Sequence, residues 1–204
     1  MILWLPCMVW AENKLERPHW SMEVKGGYFY PDADNWEKYY GADKTPQLGV
    51  YAAWKMLNYL ELGVEGTYIR DRGKGALSSN SAQLAGEVKY ELFPLSAQVL
   101  LRLKFSENQW IVPYAAAGVV RAYYQETIKN QEKRTGARQG ELFRAGLQIL
   151  LDVIDNRGSS HMAEDYNVRN TYLILEASQM DVSSSDKATE LGGRAYQVGI
   201  LVEF

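Results

Sequence analysis

The chain reads as an all-β protein, an eight-stranded antiparallel up-and-down transmembrane β-barrel. Three features predict it: eight stretches with an apolar residue at every second position, connections that alternate between short and long, and aromatic residues gathered near the strand ends. Successive side chains of a strand point to opposite faces, so such alternation marks a strand with one apolar and one polar surface. Segments of about ten residues of this kind, separated by turns, are the pattern of a small membrane-crossing barrel. The 204 residues have the length of one domain. Their 22 basic and 25 acidic side chains give no support for nucleic acid as a partner. No run approaches the roughly 20 apolar residues of a membrane helix, and the most apolar stretch, residues 110–120, is broken by Pro113 and Gly118. Such a chain enters a bilayer only as a closed barrel, the other way of satisfying every backbone group in lipid.

The first segment sets Trp20, Met22, Val24, Gly26, Tyr28 and Tyr30 against Glu23, Lys25, Gly27 and Phe29. The second sets Leu48, Val50, Ala52 and Trp54 against Gln47, Gly49, Tyr51 and Lys55, and the third Leu60, Leu62, Val64, Gly66 and Tyr68 against Glu61, Gly63, Glu65 and Thr67. The fourth spans 82–104. Its apolar phase runs through Val88, Tyr90 and Leu92 and then shifts to Leu95, Ala97, Val99, Leu101 and Leu103. A bulge at Phe93-Pro94 would absorb the slip. The fifth places Tyr114, Ala116, Gly118, Val120, Ala122 and Tyr124 on the apolar face, opposite Ala115, Ala117, Val119, Arg121 and Tyr123. The sixth has Phe143, Ala145, Leu147, Ile149 and Leu151 against Arg144, Gly146 and Gln148; the seventh has Leu173, Leu175 and Ala177 against Tyr172, Ile174, Glu176 and Ser178.

The connections around Asn58 and at 106–109 are short, whereas 31–46, 71–81, 126–139 and 184–191 are longer and polar. One connection breaks this rule: 155–167 should be a short turn and is long, with Ser160 placed to cap a single helical turn. At the N-terminus, residues 1–11 have the composition of the remnant of a secretory signal peptide, Val9-Trp10-Ala11 forming a cleavage-like site. Residues 12–19 form a lead-in, and 20–204 a single barrel domain. The lone Cys7 permits no internal disulfide.

The eighth segment carries Tyr196, Val198, Ile200, Val202 and Phe204 on one face and Gln197, Gly199, Leu201 and Glu203 on the other. It resembles the C-terminal strand of bacterial outer-membrane β-barrels, in which this pattern is the membrane-insertion signal. The resemblance implies a bacterial outer-membrane location, contact with the lipid bilayer and lipopolysaccharide, the insertion machinery as an assembly partner, and a monomer. In architecture, residues 20–204 also resemble the eight-stranded barrels of the outer-membrane-protein-A, -X and -W types. The first two imply structural or surface-interaction roles, and the W type implies a conduit or binder for small apolar molecules.

Alternation alone also fits a soluble lipocalin-like barrel with the two faces exchanged. Three features place lipid outside. Aromatic residues form two groups, Trp20, Trp54, Tyr114 and Phe204 at the short-turn end and Tyr28, Tyr30, Tyr68 and Tyr124 at the loop end. The polar face holds balanced charge: Glu23, Glu61, Glu65, Glu87, Glu91, Glu176 and Glu203 with Lys25, Lys89, Arg102, Lys104, Arg121 and Arg144. Inside a narrow barrel these must pair, because unpaired buried charge costs too much to persist. The terminal pattern and the signal-like start both point to export.

An eight-stranded interior is just wide enough for side chains to fill, so the expected lumen is plugged by a salt-bridged network. Phe29, Ile69, Tyr123 and Leu142, near the loop end, form a candidate mouth for an apolar ligand. Some barrels of this size are lipid A-modifying enzymes that use His with Ser and an acidic residue. Here His161 has Ser159, Ser160, Glu164 and Asp165 nearby, but at the turn end, away from the outer leaflet. His19 precedes the first strand. The expectation is therefore a protein without enzymatic activity. With the lone cysteine and two histidines far apart, and no Gly-rich phosphate loop, neither a metal nor a cofactor is expected.

Overall fold

The strands of the computed structural model are β1 (Trp20–Pro31), β2 (Thr45–Leu57), β3 (Leu60–Gly73), β4 (Ala76–Ser78), β5 (Ser81–Leu84), β6 (Val88–Arg102), β7 (Ile111–Ile128), β8 (Arg134–Leu150), β9 (Asn170–Asp181) and β10 (Gly193–Glu203), with helices α1 (Trp36–Tyr40) and α2 (Asn156–Tyr166). The structure describes residues 18–33, 36–73, 76–78, 81–84, 88–106, 109–128, 133–154, 156–182 and 191–204. The expected signal remnant at 1–11, most of the lead-in and Glu87 lie outside these residues. β4 and β5 pair with each other as a small ribbon. The other eight strands close into an antiparallel barrel in the order β1-β2-β3-β6-β7-β8-β9-β10 and back to β1.

The register fixes the barrel's proportions. From Ser21 the pairing leads to Ala53, Gly63, Gln98, Gly118, Leu142, Met180 and Gly193, and returns to β1 at Pro31, ten residues from the start. Eight strands with that stagger tilt by about 40° and enclose a backbone cylinder of about 8 Å radius. Side chains alone fill such a space.

The outer wall is apolar. Val24, Leu48, Val64 and Val119 are each more than half exposed, and Trp20, Trp54, Leu95, Val99, Phe143 and Ile200 continue the band. Tyr28, Tyr68, Phe93, Tyr123 and Tyr196 ring its loop end, and Trp20, Trp54 and Trp110 its turn end. Over the ten residues from Trp20 to Tyr30, the tilted strand rises about 25 Å, the height of the apolar band of a membrane barrel. The inner wall carries Glu23, Lys25, Glu61, Arg102, Arg144 and Glu203, all buried. That is the reverse of a soluble barrel.

Several expectations need correction. β6 contains no bulge: its pairing with β7 runs unbroken from Val88 to Arg102. Val88, Tyr90, Leu92 and Pro94 face inward in one phase with Ser96, Gln98, Leu100 and Arg102. The apolar residues change sides because the lumen changes from polar to apolar toward the loops. Lys89 and Glu91 therefore face outward. Pro94, which has no N–H to give, leaves only a gap in the β3 ladder between the pairs Gly66–Leu95 and Ile69–Leu92.

The faces of β7 are also reversed. Tyr114, Ala116, Val120 and Ala122 are buried inside, while Ala115, Ala117, Val119, Arg121 and Tyr123 face out. Both faces of this strand are apolar over most of its length, so hydrophobicity does not choose between them. Register does: Tyr114 lies opposite Arg102, and directly opposed residues share a face. Tyr114 thus leaves the turn-end aromatic ring. Tyr124 leaves the loop-end one, being half-buried against the upper core. The last correction concerns 155–167, where α2 is an eleven-residue helix with Ser160 in its interior, not at a cap.

Candidate functional site: the charged lumen

Five charged side chains from four strands converge on the middle of the lumen. The side chains of Glu23 and Lys25 (β1), Glu65 (β3), Arg144 (β8) and Glu176 (β9) are 7% exposed or less. Lys25 Nζ lies 2.7 Å from Glu176 and 2.9 Å from Glu65. Arg144 Nη1 lies 3.1 Å from one oxygen each of Glu23, Glu65 and Glu176. Tyr114 donates to Glu176 at 2.6 Å and Gln98 to Glu65 at 2.8 Å. The Arg144 guanidinium lies 4.2 Å from the Tyr51 ring centroid, a cation–π contact in a dry setting. Tyr51 fits only because its neighbour is glycine: a Cβ on Gly63 would fall 2.4 Å from the ring.

A second layer lies toward the turn end. Arg102 binds Glu61 at 3.0 Å and also contacts Glu203, which in turn binds Lys55. Ser21 donates to Glu61 at 3.0 Å and Asn170 to Glu203 at 2.6 Å. Tyr172 lies beneath the Arg102 guanidinium, 5.1 Å away, and accepts a hydrogen bond from Lys104 at 3.0 Å. The fully buried charges of this layer balance, Arg102 and Lys55 facing Glu61 and Glu203. The middle layer does not, since three carboxylates face two cations. Glu23 is the least well served of the three, with no hydrogen-bond partner on Oε1 and Lys25 3.8 Å from Oε2.

Toward the loops the lumen is apolar. Phe29, Ile69, Tyr90, Leu92, Val120, Ala122, Met180 and Ala195 pack together there, and Trp36 of α1 caps them. Trp36 stacks on Tyr40 at 4.1 Å and meets Tyr90 edge-on at 5.0 Å. Between this plug and the middle layer is a cavity of about 30 Å³ lined by Phe29, Thr67, Leu142, Arg144 and Gln197 among others, room for one or two waters.

The structure thus brings Glu23, Lys25, Glu65, Arg144 and Glu176 into one cluster and Glu61, Arg102 and Glu203 into another. It places Lys89 and Arg121 on the outer wall, Arg121 with its guanidinium 5.6 Å from the Tyr123 ring. Of the four expected mouth residues, Phe29, Ile69 and Leu142 line the upper lumen, and Tyr123 faces out. Lys55, Tyr51 and Ser21 were missed as network members although each shares the alternation of its strand's polar face. Tyr114 was missed because β7 has no polar face to read. His161 is exposed on α2 at the turn end.

No family model matches the chain, and no curated protein matches it in sequence. Solved structures match its fold. Neisserial surface protein A aligns at TM-score 0.61 and 12% identity, covering 91% of this chain and 97% of that one. The outer membrane protein OprG from Pseudomonas aeruginosa aligns at 0.61 and 14%, covering 93% and 98%. The N-terminal β-barrel domain of Pseudomonas aeruginosa OprF aligns at 0.55 and 10%, covering 92% and 100%. The chain has the eight-stranded fold of outer-membrane barrels.

Proposed function

We propose that the protein resides in a bacterial outer membrane as a non-conducting barrel. On this reading its role is structural or one of surface interaction, exercised through the outer wall and loops without enzymatic activity. The observation that carries the reading is the sorting of side chains: a lipid-compatible exterior around an interior crossed by two layers of ion pairs. Arg144 and Lys25 tie opposite walls together in the middle, and Arg102 of β6 does the same below by reaching Glu203 of β10. An ion crossing the lumen would have to part charges that are held at 2.7 to 3.1 Å in the middle layer, at a cost of several kcal/mol for each charge left unpaired. The strand pattern of Tyr196, Val198, Ile200, Val202 and Phe204 would serve insertion, with the assembly machinery as a transient partner. The likeness of fold to outer-membrane barrels agrees with this location.

The competing reading, a conduit for small apolar molecules, draws on the apolar upper lumen. Its own side chains and Trp36 fill that space, and the charged layers close the way below. Reconstitution in planar bilayers tests the proposal. Inserted protein should show no steady ionic conductance, and Phe29→Asp should not alter uptake of apolar solutes by cells. A steady single-channel current from the wild type would overturn the closed lumen.

A further inference from the structure

On the outer wall, just above the loop-end aromatic ring, Arg72 of β3 lies directly opposite Lys89 of β6. Both are exposed, and neither forms an ion pair among the described residues. Like charges facing each other across a strand pair are destabilising, so an anion placed between them would relieve the repulsion. The nearest described outward carboxylate, Glu91, is engaged: it accepts a hydrogen bond from Tyr68 at 2.8 Å and lies 3.7 Å from Arg70.

Immediately below, on the same wall, is a groove of about 280 Å³ between Tyr68, Glu91, Phe93, Tyr123, Gln125 and Thr135, the Glu91 carboxylate being held by Tyr68 and Arg70. Its walls are aromatic toward the bilayer and polar toward the loops. Lys44, 5.0 Å from the Tyr28 ring centroid, extends the positive charge to the β2 side. Cations in the last turns of the strands above an aromatic ring stand at the depth of lipid headgroups.

We propose that Arg72 and Lys89 bind a phosphate group of an outer-leaflet lipid whose sugar or upper acyl segment lies in the groove between Tyr68, Phe93 and Tyr123. Two opposed cations can each donate to one phosphate, and charge-assisted hydrogen bonds are the strong ones. The anion removes the repulsion between them, so binding and rim stability are linked. This inference rests on the membrane reading above and goes further in naming the lipid chemistry and the residues that take it.

The test uses full-length protein folded in dodecyl maltoside micelles, which carry no phosphate, with or without bisphosphorylated lipid A, or lipid A stripped of its phosphates. Heat-dependent gel migration is checked first; protein that never acquires it would refute the membrane reading itself. For folded protein, retention of lipid A by native mass spectrometry should fall about tenfold for each cation removed, in Arg72→Gln and Lys89→Gln. The dephosphorylated lipid should bind wild type and variants alike. Stability should reverse in sign: in the maltoside micelles alone Arg72→Gln should leave the unfolding midpoint unchanged or raise it, and with lipid A it should lower it. Equal retention of lipid A by wild type and both variants, with folding intact, would overturn the proposal while leaving the barrel in its membrane.

Discussion

Arg144 holds the middle of the lumen together: one guanidinium nitrogen lies within 3.1 Å of three glutamates. Removing one partner from a buried ionic cluster leaves the others uncompensated, at about 3–5 kcal/mol. Arg144→Ala should lower stability by about that much in urea unfolding from lipid vesicles. Glu23→Gln should cost much less than Glu176→Gln, because Glu176 accepts from Lys25 and Tyr114 and contacts Arg144, whereas one oxygen of Glu23 has no partner. Equal losses for the two would mean that the layer is not organised as described. Gly63→Ala, which thrusts a methyl into the Tyr51 ring, should destabilise by about 1–3 kcal/mol in the same assay. Lipid-facing positions follow another rule. Val24 sits midway up the apolar band, so Val24→Arg should cost about 2–4 kcal/mol, and the same change near the rim little.

At the scale of the strand, how much was legible in the sequence depended on contrast between the two faces. β1, β2, β3, β8, β9 and β10 carry charged or amide side chains on one face and aliphatic ones on the other, and their orientation follows from that. β7 offers Ala, Val, Gly and Tyr on both faces, so only its partners decide, and the pairing of Tyr114 with Arg102 is a non-local fact. β6 misled for a related reason. The wall facing Trp36 is apolar because α1 closes the lumen there, and an apolar inward residue then looks like one facing lipid. The long 155–167 connection was visible as an anomaly, while the extent of α2 was not. The face of β7 can be tested directly. In a Cys7→Ser background, spin labels on Ala115→Cys, Ala117→Cys and Val119→Cys should be accessible to lipid-soluble oxygen and shielded from aqueous nickel complexes. Labels shielded from both would restore the opposite orientation.

For the whole molecule, the arrangement of side chains comes down to a question of solvent. An apolar wall about 25 Å tall around a charged interior is unfavourable in water on both counts, since it exposes the hydrocarbon and buries the charge. The same arrangement in a bilayer satisfies every backbone group by closure and leaves the paired charges as filling. The closed fold and its aromatic rings agree with that one sorting of side chains.

The most direct test of this claim is to express the full-length chain with an exported leader, fractionate the cells, and follow the protein through urea extraction and gel electrophoresis with and without boiling. The account predicts retention in the outer-membrane fraction through urea washing and a migration that shifts on heating, as a closed barrel resists detergent until it is boiled. A freely soluble product with a single mobility would contradict it, and would require the faces described here to be exchanged.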